Sequence, residues 1–258
     1  MLMHPVLPQA DRKQKTEAKT CLRTDVDVRR FYANRGRQMF EERMYTAPIR
    51  RFLEEEEVIV ERVMSALGRN HLVEVGCGSG RYLHQAVRSG FRYDGIDLVD
   101  DLVREGRQRW KLLMTRGARL HVGSVVDIDR LYANLGLAKC RTILLFPFNC
   151  FGNLACVERG VRALARTRAP VLLSTFGLSK CATEIRADYY RHLGCQGVSW
   201  ATVPEVGTVV RSQDGLVSFA YRLQFLIDAF ANHGFGLSAV EGLAGIGRLA
   251  TFCPLPRG

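Results

Sequence analysis

The chain has 258 residues, of which 47% are hydrophobic and 24% charged, and its formal net charge is +11. This composition is that of a soluble globular protein, and no apolar run approaches the roughly 20 residues of a membrane helix. The first residues, MLMHPVLPQADRKQK, lack the apolar core of a signal peptide. We therefore expect a cytoplasmic protein with no membrane contact. The basic net charge is compatible with an anionic partner but does not by itself indicate one.

The eight cysteines are scattered along the chain and form no CxxC pair. They stand at positions 21, 77, 140, 150, 156, 181, 195 and 253. In a cytosolic chain, cysteines spread in this way are most often small buried apolar residues, so we expect no disulfide framework. No cysteine or histidine cluster has zinc spacing, so we expect no metal site.

In chain order, residues 1–24 are polar and lysine-rich, which predicts a flexible arm. Residues 25–67 predict a helical cap, because VDVRRFYANRGRQMFEERMYTA has mixed helical spacing and EEEEVIVERVMSAL is amphipathic. In the second stretch, acids crowd the first turn and Gly68 follows the last one.

From residue 71 to 176, short apolar runs alternate with helical segments. The runs are HLVEVG, RYDGIDL, ARLHVGSV, CRTILLFPFN and APVLLSTF. Such alternation predicts a parallel sheet with helices on both faces. Residues 177–219 break this rhythm and predict an insertion after the fifth strand, before an amphipathic helix and two last strands. We expect residues 25–258 to form a single domain.

A glycine-rich loop follows the first predicted strand in VEVGCGSGRYL. Gly76, Gly78 and Gly80 give the backbone freedom to press bare peptide against a ligand at a helix N-terminus. The spacing is GxGxG, whereas dinucleotide sites use GxGxxG, and Arg81 stands where the third glycine of that pattern would be. Asp97 ends the next strand, where a carboxylate can accept hydrogen bonds from two ribose hydroxyls.

These segments resemble the class I S-adenosylmethionine-dependent methyltransferases. VEVGCGSG, YDGIDL, HVGSVVDI and ILLFPFNCFGNL resemble the first four motifs of that family, over about residues 71–176. The resemblance implies an α/β, doubly wound, Rossmann-like sheet of seven strands, mostly parallel with an antiparallel last strand. It also implies S-adenosylmethionine as cofactor, held by Glu74, Gly76, Cys77, Gly78, Gly80, Asp97, Leu98, Ser124, Val125 and Phe146. At the position of Ser124 the family commonly has an acid, and that acid contacts the adenine amine.

The segment after strand four bears on the methyl acceptor. FPFNCFGN lacks the Asn/Asp-Pro-Pro-aromatic tetrad of base-amine methyltransferases, and Pro147 and Cys150 do not form a Pro-Cys nucleophile. FNCFGNL resembles the corresponding segment of small-molecule and peptide N-methyltransferases. We therefore expect N- or O-methylation of a small metabolite or peptide, mainly by positioning, and we do not expect nucleic acid as the partner.

The cap and the insertion are predicted to form a lid over the acceptor. The candidate pocket residues are Tyr32, Arg35, Tyr45, Asn149 and Tyr189, and the candidate catalytic residues are Tyr190 and His192. Two other functions stay open: an RNA methyltransferase that uses the basic surface, and a donor-binding protein without catalysis. The sequence also leaves a homodimer open.

Overall fold

The computed structural model describes residues 20–138 and 141–256. Its strands are β1 His71–Val75, β2 Arg92–Asp97, β3 Ala118–Val122, β4 Thr142–Phe146, β5 Val171–Phe176, β6 Ser199–Val203, β7 Gly207–Arg211, β8 Val217–Tyr221, β9 Phe235–Leu243 and β10 Gly247–Pro254. Seven of them form the main sheet in the order β3-β2-β1-β4-β5-β10-β9. β1 to β5 pair in parallel, and β10 runs antiparallel to both β5 and β9. The predicted fold class is therefore confirmed.

Helices cover both faces of this sheet, as apolar parallel strands require. The α-helices are α1 Asp25–Arg35, α2 Ala47–Ala66, α3 Leu83–Arg88, α4 Asp100–Arg109, α5 Lys111–Met114, α6 Ile128–Asn134, α7 Val157–Thr167, α8 Lys180–His192 and α9 Leu223–Ala231. Every residue of β1, β4 and β5 is buried. The order reverses between β1 and β4, which opens a crevice at the carboxyl ends of the central strands. No helix among the described residues is long and apolar enough to cross a membrane.

The N-terminal cap begins with a well-defined helix start. Thr24 and Asp27 form a capping box at the first turn of α1, in which each side chain accepts a hydrogen bond from the other residue's backbone N–H. Short 3₁₀ turns at Gly36–Phe40 and Glu42–Met44 then lead into α2. Phe40, in the first of these turns, lies against the glycine-rich loop at Gly78, whereas α2 packs against β9 and β10.

The described end of the predicted arm is attached to the protein body. Cys21 is joined to Cys156 by a disulfide. The Arg23 guanidinium donates hydrogen bonds to the backbone oxygens of Asn153, at 2.9 Å, and Val217, at 2.7 Å. The expectation of unpaired cysteines is therefore wrong for this pair, because the fold brings together two cysteines that are 135 residues apart. Residues 1–19 of the arm lie outside the described residues.

The insertion after β5 forms α8 and a three-stranded antiparallel sheet of β6, β7 and β8. Asn149, which follows β4, links this unit to the main sheet. Its Nδ2 donates to the Ser218 hydroxyl and to the Phe219 carbonyl, while its Oδ1 accepts from the Thr175 hydroxyl. The insertion therefore packs at the carboxyl ends of β4 and β5, where buried polar contacts hold it.

Candidate functional site

A cavity lies at the carboxyl ends of β1 to β4. It encloses about 990 Å³, the solvent at its mouth included. Its walls come from the glycine-rich loop, from the loops after β2, β3 and β4, and from the N-terminal cap. They are Asp25, Val28, Tyr32, Met39, Phe40, Val75, Gly76, Arg81, Ile96, Asp97, Leu98, Val99, Leu102, Gly123, Ser124, Val125, Val126, Pro147, Phe148, Cys150, Asn153, Leu154, Ala155 and Cys156.

The glycine-rich loop has a backbone that needs glycine. Gly76, Gly78 and Gly80 have φ of +74°, +53° and +93°, the left-handed region that other residues rarely adopt. A Cβ added at Gly76 would lie 2.2 Å from the Cys150 sulfur, and one added at Gly78 would lie 2.0 Å from the Phe40 ring. The Cys150 sulfur and the Phe40 ring therefore pack directly on bare peptide of the loop, and of the three glycines Gly76 lines the cavity.

Asp97 is the acidic group at the centre of the cavity wall. Its Oδ2 accepts a hydrogen bond from the Gly78 N–H at 2.7 Å, and its Oδ1 accepts one from the Val99 N–H at 2.8 Å. Burial raises the pKa of this carboxyl, and these backbone hydrogen bonds oppose the rise. Each carboxylate oxygen has a second lone pair, so Asp97 can still accept hydrogen bonds from a pair of ligand hydroxyls.

One end of the cavity, next to β3, is apolar except for one hydrogen-bonded polar pair. Leu98, Val99, Leu102 and Val125 form the apolar walls at this end. The Ser124 hydroxyl donates a hydrogen bond to the Asp25 carboxylate at 2.6 Å. This contact joins the loop after β3 to the first turn of α1.

The other end of the cavity contains a caged cation. The Arg81 guanidinium lies 4.8 Å from the centre of the Phe40 ring, 5.2 Å from that of Phe148 and 5.6 Å from that of Tyr45. It donates hydrogen bonds to the Tyr45 hydroxyl and the Met39 carbonyl. In the described part of the chain, no carboxylate forms an ion pair with Arg81. Arg81 is therefore available to an anionic ligand group.

Two polar groups of the wall have no partner within the described residues. The Tyr32 hydroxyl and the Asn153 Oδ1 atom are buried, yet neither has a hydrogen-bond partner. Buried polar atoms of this kind normally have one. Both residues line the cavity, so both atoms are candidates for contacts with a bound molecule. Burial also raises the pKa of the Tyr32 hydroxyl well above its usual value, so it is a hydrogen-bond donor at neutral pH.

Six of the predicted site residues line the cavity. They are Tyr32, Gly76, Asp97, Leu98, Ser124 and Val125. Gly78 and Gly80 lie in the same loop, where Gly78 donates to Asp97 and Gly80 borders a second cleft. Tyr45 borders that second cleft as well.

Four predicted residues near the donor or acceptor are buried in the protein instead. Glu74 is fully buried and accepts hydrogen bonds from the Tyr82 N–H and the Tyr93 hydroxyl, so it fixes the start of the segment after the loop. Cys77 is buried and burial raises its pKa, which makes it inert. Phe146 packs against Phe151, and Asn149 holds the insertion.

The residues predicted for the lid and for catalysis lie away from the cavity wall. Tyr189 is buried against the Phe148 ring, and the Tyr190 hydroxyl donates to Ser218. His192 is exposed in the last turn of α8. Arg35 pairs with Asp214 at 3.3 Å. α8 therefore turns its tyrosines into the core, and this geometry gives no support to Tyr190 and His192 as catalytic groups.

Sequence reasoning missed the cavity-lining residues of the cap, above all Asp25, Val28 and Phe40. Asp25, Val28 and Tyr32 share one face of α1, since they are spaced i, i+3 and i+7. That spacing is visible in the sequence, but nothing in it shows that this face covers the cavity. No group of His, Cys, Asp or Glu suited to a metal ion occurs among the described residues.

No family model matches the chain, and no curated protein matches it either. Solved structures do share its fold. Magnesium protoporphyrin IX methyltransferase from Synechocystis, crystallised with SAH, has a TM-score of 0.58 at 13% identity, over 90% of this chain and 100% of that one. The PH0226 protein from Pyrococcus horikoshii has a TM-score of 0.56 at 14% identity, over 82% of this chain and 93% of that one. The 1,6-didemethyltoxoflavin-N1-methyltransferase from Burkholderia thailandensis has a TM-score of 0.55 at 13% identity, over 99% of this chain and 94% of that one. The chain therefore has the fold of methyltransferases of this type.

Proposed function

We propose that this protein is an S-adenosylmethionine-dependent methyltransferase that acts on a small molecule. The observation that carries the proposal is that the glycine-rich loop and Asp97 line the same cavity. A glycine-rich loop that lines the cavity beside a hydroxyl-accepting carboxylate suits a nucleoside with an attached chain. Two structural neighbours are methyltransferases crystallised with S-adenosylhomocysteine, the demethylated donor.

The residues present fit this donor along its whole length. Asp97 would hold the ribose hydroxyls, and Leu98, Val99 and Val125 would enclose the base. The amino-acid chain would lie beside Gly76, and Arg81, which also lines the cavity, would pair with its carboxylate. The order follows the sheet, because β1, β2 and β3 are neighbours and their loops follow one another along the cavity.

When bound, the donor supplies a methyl group on a sulfonium, which is activated for displacement. The protein then has to orient the acceptor and exclude water. Pro147, Phe148 and Cys150 line the cavity beside Gly76 and enclose this region in apolar surface. Burial raises the pKa of the Cys150 thiol, so Cys150 remains protonated and acts as wall rather than nucleophile.

The acceptor would occupy the remainder of the cavity, between α1 and the loop after β4. This part is mostly apolar, with Tyr32 as a hydrogen-bond donor and Asn153 Oδ1 as an acceptor. We therefore expect a small, largely apolar acceptor with a few hydrogen-bonding groups. The tyrosine also offers ring surface to an aromatic or cationic acceptor.

Binding of the demethylated donor to an Asp97→Asn variant tests the proposal. Asparagine keeps the shape of the side chain but removes its charge, so hydrogen bonds from the ribose should weaken. We expect calorimetry to show a loss of about 1.5–3 kcal/mol, the usual contribution of hydrogen bonds to a charged group. Transfer of a labelled methyl group from S-adenosylmethionine to a panel of small amines and phenols then tests turnover.

Asp100→Asn is the matched control, because Asp100 is an exposed acid in the first turn of α4 three residues further on. It should bind the donor as the wild type does. Unchanged affinity in Asp97→Asn would remove Asp97 from the site. If the wild type binds NAD and not S-adenosylhomocysteine, the proposed function is wrong.

A further inference from the structure

The cavity end beside β3 contains a carboxylate, Asp25, that has no role in the proposed methyl transfer. Asp25 lines this end, and the Ser124 hydroxyl donates to its Oδ2 atom at 2.6 Å. The Ser124 oxygen also accepts a hydrogen bond from the Val126 N–H at 3.3 Å. Ser124 thus commits its only proton to Asp25, and the carboxylate is the charged hydrogen-bond acceptor at this end.

The direction of the donor decides which group meets Asp25. Asp97 ends β2 and is the only acid besides Asp25 among the described residues that line the cavity. With the ribose on Asp97 and the amino-acid chain toward Gly76, which follows β1, the base would extend toward β3. Beyond the apolar surface of Leu98, Val99 and Val125, the edge of the base would meet the pair formed by Asp25 and Ser124.

Adenine has one exocyclic amine, which is a hydrogen-bond donor and needs an acceptor when it is buried. A carboxylate accepts such a bond more strongly than a neutral group does. We infer that Asp25 accepts a hydrogen bond from the adenine amine and makes the site selective for the adenine base, an inference that depends on the proposed donor. The selecting acid therefore comes from the N-terminal helix and not from the sheet.

Asp25 also belongs to the cavity-lining face of α1 that contains Val28 and Tyr32. A helix moves as a unit, so a contact between the base and Asp25 fixes the position of Tyr32, two turns further along the helix. Recognition of the base thereby places one wall of the acceptor region. An adenine-free donor analogue would leave that wall without this support.

The test compares two ligands in two proteins by calorimetry. The ligands are S-adenosylhomocysteine and its analogue with hydrogen in place of the 6-amino group. The wild type should prefer the first ligand by roughly tenfold to a hundredfold, which corresponds to one hydrogen bond to a charged group. Asp25→Ala should bind both ligands with nearly equal affinity, so the preference itself should disappear.

Asp27→Ala is the matched control for damage to the helix. Asp27 is exposed and caps α1 through the Thr24 N–H, at 2.9 Å, without lining the cavity. The Asp27→Ala change should weaken the binding of both ligands to the same extent and leave the preference for the 6-amino group intact. Circular dichroism and thermal unfolding should show Asp25→Ala folded like the wild type.

The outcomes separate this inference from the proposed function. If the wild type binds neither ligand, the proposed function fails. If Asp25→Ala keeps the full preference for the amine while Ser124→Ala loses it, the donor site stands but Asp25 does not select the base. If the wild type binds both ligands equally, the amine has no charged partner and the inference is overturned.

Discussion

One buried acid beneath the glycine-rich loop, Glu74, contributes to how the stability of the protein responds to pH. Burial raises the pKa of Glu74 to about 8, although hydrogen bonds from Tyr93 and Tyr82 oppose the rise. The folded-state pKa therefore lies above the ordinary value of 4.5. The stability that this difference contributes is complete below pH about 4.5 and is lost as the pH rises through about 8.

Glu74→Gln should remove this pH dependence. Glutamine can still accept hydrogen bonds from Tyr82 and Tyr93 but cannot ionise, so the variant should not lose stability as the buried acid titrates. We expect the melting temperature of Glu74→Gln, relative to the wild type, to rise between pH about 5 and about 8 and to level off above that. Glu42→Gln, an exposed change in the cap, should track the wild type. Parallel pH profiles for Glu74→Gln and the wild type would show that Glu74 does not titrate in this range.

At the scale of elements, α1 is a covering helix with an anchor at its N-terminal side. The disulfide between Cys21 and Cys156 and the hydrogen bonds of Arg23 hold the chain four residues before Asp25. Cys156 itself lines the cavity. The position of α1 over the donor region therefore depends on a bond that a thiol reductant can break.

Reduction should weaken donor binding severalfold. When the anchor is released, α1 spends part of its time away from the cavity, and the apparent affinity falls by the fraction of molecules that are closed. Titration with S-adenosylhomocysteine, with and without dithiothreitol, should show the effect in the wild type. Cys21→Ser should already have the weaker affinity and should not respond to the reductant.

Cys181→Ser is the control for this comparison, since Cys181 is an exposed free cysteine on α8. It should respond to the reductant as the wild type does. Equal affinities of the wild type in both conditions would show that the anchor does not govern donor binding.

The elements also show where sequence reasoning succeeds. The glycine-rich loop and Asp97 are predictable, because positive φ at Gly76 and an acid at the end of a strand are local requirements with a fixed spacing. The face of α8 is not. The sequence suggests Tyr189 and Tyr190 as pocket and catalytic residues, and only the tertiary fold shows that both are buried and that the Tyr190 hydroxyl donates to Ser218. Likewise, Asp25 reaches Ser124 across 99 residues of chain, for which one sequence has no local signal.

For the whole molecule, the two segments predicted to form a lid have different positions. The cap supplies Asp25, Val28, Tyr32, Met39 and Phe40 to the cavity wall. In the described part of the chain, the segment 177–219 supplies no residue to that wall. Its sheet packs at the carboxyl ends of β4 and β5, where Asn149 joins it to the core. The insertion therefore lies outside the cavity wall and contacts the cap through the ion pair of Arg35 with Asp214, whereas residues of the cap line the cavity themselves.

Hydrogen exchange with bound S-adenosylhomocysteine should distinguish the two segments. A ligand protects amides whose exchange requires an opening that it opposes. We expect slower exchange in residues 25–40, in the loop at 76–81 and in residues 97–99, because these surround the proposed donor. Residues 199–221 should exchange at the same rate with and without the ligand. If the insertion is protected as strongly as the cap, it closes over the site after all, and the acceptor would then contact β6 to β8 rather than the face of α1 that contains Tyr32.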